Sequence, residues 1–438
     1  MAIAVVLVGA LGVMGADLLW AVALGDQIIR TGRVPEGIPF ASAPTHGWHN
    51  PFALAEVLLA ALHRLGNGAL LATLVVAVAA TLALLSLGMR KTGASDRSTA
   101  LTLILVLGGG LAAFLIVRIQ LFAPALFAAL LLVLRKDHDA PSNRVWLAIP
   151  LLAFWANLHG TVLVGLAVAG CYLLFGLSRT RPWSSLLLAV AAVLALMATS
   201  AGISYPAYVR GALTNAAAQG NEQMWAPLSL RSPLDVLFLV SLAGVAVLYF
   251  RRRRPLWEYI VVAGLGLGTL LTARTGFWLL MFLAAPAAAA LARPAASRMP
   301  RVSARGAAVV AAVAVVLGTG VAATRGEELL PGADSSAVNA VVRQAGHRPV
   351  LAEAPLVEAV AAAGGTIWVG NPLDAFRKGD QTAYLDFVAG RPGGRAALDH
   401  AEVVAVRAQE PAARLVGADP RFRQVSEAGE WLVFERVR

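Results

Sequence analysis

The sequence predicts an α-helical polytopic membrane protein of about eleven transmembrane helices, ending in a small C-terminal α/β domain outside the membrane. Three observations carry that reading. Of the 438 residues 58% are hydrophobic and 14% charged, with mean hydropathy +0.71, whereas a soluble domain is about a quarter charged. Apolar runs near the ~20 residues that a bilayer requires recur along the chain. From about Thr324 charged residues return, and helix-like stretches alternate with short apolar runs.

The runs centre near residues 10, 78, 108, 127, 150, 168, 191, 242, 265, 284 and 314. The first lacks a basic leading segment, so it reads as a membrane helix rather than a secretion signal. Its short inner side leaves room for an upstream start. The net charge of +11 invites a nucleic-acid partner, but the basic residues sit in short clusters between spans. These are Arg90-Lys91 with Arg97, Arg135-Lys136 with Arg144, Arg179 with Arg181, Arg251 to Arg254, and Arg293 with Arg298, Arg301 and Arg305. Clusters so placed are the positive-inside signal of a multispanning chain, and a nucleic-acid surface is set aside. With the amino terminus inside, every cluster is cytoplasmic. The single Cys171 lies in an apolar span and excludes a disulfide framework or a thiolate metal site.

This topology divides the chain into a membrane part, residues 1–323, and an extracytoplasmic α/β part, residues 324–438. It leaves outside a first loop (17–66), the turn Arg118-Ile-Gln120, the turn Asn157-Leu-His159-Gly160, a second loop (200–235) with Tyr205, Tyr208, Arg210, Glu222 and Trp225, and Arg274 at a span end. Polar, aromatic and ionisable residues thus gather at one face. In the first loop, Asp17 to Ile29 and Phe52 to Leu65 have helical periodicity; the Pro- and Gly-rich middle does not. Asp17 is expected near the far end of the first helix, roughly 25 Å along it. In the tail, Thr366–Val369, Val403–Val406 and Trp431–Phe434 read as strands, and Asn371-Pro-Leu-Asp374 as a turn. The tail shows no GxGxxG, Walker loop or HExxH.

A carboxylate costs a few kcal/mol at a bilayer centre, so Asp17 is a candidate for chemistry at a membrane surface. The motif Asp17-x-x-Trp20, then Gly25, Arg30-Thr-Gly32-Arg-Val-Pro35, Phe40 and Gly47-Trp48-His49-Asn50 resembles the first luminal loop of the GT-C glycosyltransferases, nearest their bacterial mannosyltransferase-like branch. Trp155-Ala-Asn157-Leu-His159-Gly160 resembles a second motif of that group, and the likeness covers roughly residues 10 to 290. It implies a membrane enzyme that moves a hexosyl or pentosyl group from a polyprenyl-phosphate sugar to a cell-envelope glycan or protein, with inversion and Asp17 as general base. The Ala-, Arg- and Gly-rich composition suits a bacterial cell membrane. The residues after the acid, Trp20-Ala21-Val22, depart from the group's usual continuation, and Asp26 is a substitute base.

Donor phosphate needs cations, for which Arg118, Arg210 and Arg274 are candidates; snorkelling to headgroups is the plainer role of each. His49, Trp48, Asn157 and His159 would shape the acceptor cleft. Hydrogen-bonded loop histidines, and belt residues for Trp48, Trp155 and Trp225, are the plainer readings. No ligand spacing singles out a metal, and the sequence leaves a divalent ion open. Two rivals stand beside the enzyme: a non-catalytic scaffold on the same fold, and a transporter or flippase of lipid-linked intermediates.

Overall fold

The computed structural model describes residues 1–220, 225–292, 304–325 and 335–437. Glu222, Arg293, Arg298 and Arg301 lie outside the described residues. Each expected centre falls on a helix. Four helices are long and apolar enough to cross a membrane: Asn67–Lys91, Val162–Arg179, Pro233–Phe250 and Ala273–Leu291. Five more centres fall on shorter apolar helices of 10–17 residues. The remaining two fall on Asp96–Gly109 and Ala123–Asp139.

The amino-terminal end differs from expectation. Helix α1 (Ala2–Leu11) stops at Gly12, which turns to φ −57°, ψ 143°, and an extended pair β1 (Val13–Met14) follows. β1 runs parallel to β2 (Ile116–Val117), and the Gly15 N–H donates to Val117 O at 2.9 Å. Asp17 therefore does not end the first helix. It lies in the first turn of a second, α2 (Ala16–Thr31), where a carboxylate suits the positive helix end.

Helix α2 packs along α3 (Ala53–Arg64) because Gly25 removes the obstacle: a Cβ there would sit 2.0 Å from the Glu56 carbonyl oxygen. α1 crosses the helix Ala304–Ala323 in the same manner, at Gly9 and Gly318, where a Cβ on Gly9 would meet Gly318 O at 2.2 Å. Close backbone approach of this kind is what small residues give helices in lipid, where no hydrophobic force drives them together.

At the end of the bundle away from Asp17, two buried acids, Glu258 and Asp137, are paired. Arg135 donates to Glu258 Oε1 at 2.9 Å and to the Phe282 carbonyl at 2.8 Å. Asp137 accepts from the Tyr172 hydroxyl at 2.6 Å, from Arg181 at 2.6 and 2.8 Å, and from the Ser142 N–H at 2.7 Å.

The tail forms a four-stranded sheet in the order β3 (Val350–Ala352), β4 (Val403–Arg407), β6 (Trp431–Arg436), β5 (Phe422–Ala428), with β3 and β4 parallel and the rest antiparallel. Thr366–Val369 enters as isolated bridging residues: Ile367 pairs with Val350 on one side and with Ala41 of the first outer loop on the other. That loop thus lengthens the sheet, through Ser42 N–H to Ile367 O at 2.8 Å and Ile367 N–H to Phe40 O at 2.9 Å. Tail and outer loop are one structure at this seam.

Candidate functional site

The β1–β2 pairing brings Asp17 against Arg118, the residue after β2. Arg118 Nε lies 3.9 Å from Asp17 Oδ1, and neither atom, both buried, has a hydrogen-bond partner. Gly15 makes the approach possible, since a Cβ would meet Asp17 Oδ1 at 2.7 Å and Arg118 Cγ at 3.0 Å. Burial raises the Asp17 carboxyl above the usual carboxylate range, and the Arg118 charge pulls it part of the way back.

Arg118 also lines a cavity of about 250 Å³. Arg118, Gln120, Thr161, Asp235 and Arg274 supply its polar part; Leu74, Val78, Phe114, Phe277 and Trp278 supply apolar wall. Arg274 stacks over Trp225 at 4.4 Å. His159 belongs to the same region. Its Nδ1 accepts the Thr161 N–H at 3.1 Å and lies 3.0 Å from the Thr161 hydroxyl, so the ring hydrogen sits on Nε2. Burial first, then the Arg274 and Arg118 charges, hold this imidazole neutral, with its pKa pushed down to about 3. Two guanidiniums and a neutral imidazole next to an apolar cavity can hold an anionic group that carries an apolar chain.

A second cavity, of about 270 Å³, opens at the seam with the tail and is lined by His46, Trp48, His49, Ser204, Tyr208, Asp374 and Arg377 among others. Phe52 and Tyr208 lie between it and His159: Phe52 stacks on His159 at 5.8 Å and meets Tyr208 edge-on at 5.1 Å. The Trp48 indole donates to Asp374 Oδ2 at 3.0 Å. Burial lifts Asp374 to about 6, against the pull of that indole hydrogen bond.

The candidate residues therefore separate. Asp17, Arg118, Arg274 and His159 come together; Trp48 and His49 line the seam cavity. Asn157 turns inward, donating to the Ala153 and Ala198 carbonyls at 2.9 and 2.6 Å. Asp26 accepts from Arg64 at 2.8 Å, about 13 Å along α2 from Asp17. Arg210 is exposed and lines neither cavity. Trp48 and Trp155 are buried rather than belt residues; the Trp155 indole donates to Thr161 Oγ1 at 3.2 Å. Indoles that find a buried acceptor have no need of the water interface.

Other residues of the region were not among the candidates read from the sequence. Glu56 is fully buried, accepts the Asn50 amide at 2.5 Å, and is lifted by burial to about 8 against that hydrogen bond. Glu353 and Glu358 of the tail are buried too. The sole signal in the sequence was an acid inside an apolar helical run, Leu356-Val-Glu358-Ala, which a solvated face would show equally. Among the described residues no cluster of three or more His, Cys, Asp or Glu side chains could hold a metal ion.

No family model matches the sequence, and no curated protein matches it. Shape does find counterparts. The chain superposes on ArnT from Cupriavidus metallidurans, solved bound to undecaprenyl phosphate, with TM-score 0.59 and 12% identity over 99% of this chain and 96% of that one. The fold is that of the GT-C glycosyltransferases. The archaeal oligosaccharyltransferase AglB from Archaeoglobus fulgidus, in complex with an inhibitory peptide and a dolichol-phosphate, shares this GT-C architecture with TM-score 0.50 and 11% identity, over 91% of this chain and 66% of its own. Arabinofuranosyltransferase AftD from Mycobacteria does so with TM-score 0.50 and 14% identity, over 99% of this chain but 41% of its own.

Proposed function

We propose that this protein is a membrane glycosyltransferase that moves a sugar from a polyprenyl-phosphate donor to a cell-envelope acceptor. The observation that carries the proposal is the cavity holding Arg118 and Arg274 together on otherwise largely apolar walls, beside Asp17. A phosphate on an isoprenoid chain has the matching chemistry, and ArnT was solved with undecaprenyl phosphate bound. The membrane part is residues 1–323 and the tail 324–438, with the amino terminus inside and the tail outside a bacterial cell membrane.

In the reaction, the acceptor hydroxyl gives its proton to Asp17 as its oxygen bonds to the anomeric carbon. The bond from that carbon to the phosphate oxygen breaks with inversion, and polyprenyl phosphate leaves as an anion between Arg118 and Arg274. A carboxylate raised by burial is a stronger base than one in water, which favours this role. The seam cavity, walled in part by the tail, receives the acceptor, with Trp48 and His49 in its wall. Asn157 holds the turn that presents His159.

The test feeds radiolabelled polyprenyl-phosphate sugars to membranes carrying the wild type or Asp17→Asn, at equal protein, and follows label into envelope acceptors. Transfer by the wild type that disappears in the variant is the expected result. Transfer that survives in the variant would move the base elsewhere and favour a scaffold or a transporter.

A further inference from the structure

The tail reaches the helix that carries Asp17. Its helix Leu356–Ala362 packs against α2, the helix whose first turn carries Asp17. On it Glu358 is 2% exposed; Oε1 accepts the Asn371 amide at 2.6 Å, while Oε2 is buried with no partner. Asp17 Oδ1, in the first turn of α2, and Arg118 Nε beside it are likewise buried without partners. Leaving such groups unpaired costs stability, so evolution keeps them where a ligand or a reaction uses them.

We propose that Glu358 is a positioning residue of the transfer site, a buried tail carboxyl whose unpartnered oxygen holds the acceptor hydroxyl beside Asp17; this rests on the glycosyltransferase reading above. Asn371 fixes one oxygen of Glu358 and leaves the other to donate. The acceptor's proton passes to Asp17, and Glu358 keeps its own throughout. Burial, with the Asp17 charge adding to it, lifts Glu358 to about 7, against the Asn371 amide. The other ionisable neighbours are few. Tyr384 donates to Ala352 O at 3.3 Å, and Glu353 lies just ahead of the helix; both are buried. The packed helix Ser335–Ala345 brings one charged residue, the exposed Arg343.

The proposal is tested without substrate first. Full-length protein in detergent is treated with dicyclohexylcarbodiimide, which modifies protonated buried carboxyls, and Glu358 labelling is followed by mass spectrometry against pH. Removing the neighbouring charge in Asp17→Asn should lower the pH of half-labelling by about 1. An unshifted curve, or no label on Glu358 at any pH, overturns the pairing. In the transfer assay, Glu358→Ala should raise the acceptor KM about tenfold. Glu358→Gln, which still donates, should restore that KM and abolish the fall in rate above pH 7. A Glu358→Gln profile identical to wild type overturns the role. If the labelling shift appears while the wild type transfers no sugar, the pair stands and the glycosyltransferase reading falls.

Discussion

The two ends of the helix bundle both bury acids, and they pair those acids differently. At one end Arg135 meets Glu258, and Asp137 is satisfied by Tyr172, Arg181 and Ser142. At the other, Asp17, Arg118, Glu56 and Glu358 each keep a buried polar atom without a partner. Removing half of a saturated pair strands its partner, so the first end is architecture. Arg181 Nε and Arg254 Nε at the first end also lack partners, so what separates the ends is their acids: Asp17, Glu56 and Glu358 each keep an unpartnered oxygen, and that makes the second end the candidate site.

The sharpest way to break this comparison is to neutralise a residue at each end. Asp17→Asn should lower transfer by about 10²–10⁴-fold, the usual worth of a positioned base, with an unchanged unfolding midpoint in detergent. Asp137→Ala should do the reverse, costing about 3–5 kcal/mol in stability because Arg181 and Tyr172 lose their acceptor, with the donor affinity of the surviving folded protein unchanged. Loss of stability in the first variant, or of affinity in the second, would merge the two ends.

Glu56 sharpens the contrast through pH. Its folded-state value of about 8 lies above the ordinary 4.5, so on raising pH the unfolded chain releases this proton first. The associated stability is whole below about pH 4.5 and drains away up to about pH 8. Glu56→Gln removes that drain. Its stability advantage over wild type should therefore grow by about 3 kcal/mol between pH 5 and pH 8 in denaturant titrations. A pH-independent difference would show that Glu56 ionises freely.

The smallest effect belongs to the seam. Trp48→Phe removes the hydrogen bond to Asp374 and should cost about 1 kcal/mol. The expected sign is faster proteolytic release of the tail, with Asp17 chemistry retained.

Several of these features were legible in the sequence. The apolar runs fixed where helices form, because lipid leaves a chain no other way to satisfy its backbone. The acid and the arginines near span ends pointed to one face as the place to look for a site. The strands Val403–Val406 and Trp431–Phe434 followed from apolar content and became β4 and β6. Other features were not legible. Asp17 moved from the end of one helix to the start of the next, because β1 pairs with β2 a hundred residues away. Thr366–Val369 became a bridge, because the outer loop supplies its other neighbour.

The sequence by itself therefore determined the membrane class, the helical runs and the identity of Asp17, Arg118 and Arg274 as residues to explain. These depend on composition and local periodicity, which the chain displays directly. Tertiary structure alone decided that His159 joins the arginines, that Asp26 pairs with Arg64 and Asn157 with the Ala153 and Ala198 carbonyls, and that Glu358 of the tail is buried near Asp17. Whether an ionisable side chain is paired or left unsatisfied depends on what lies across from it, and that neighbour can be remote in the chain, as Glu258 is from Arg135.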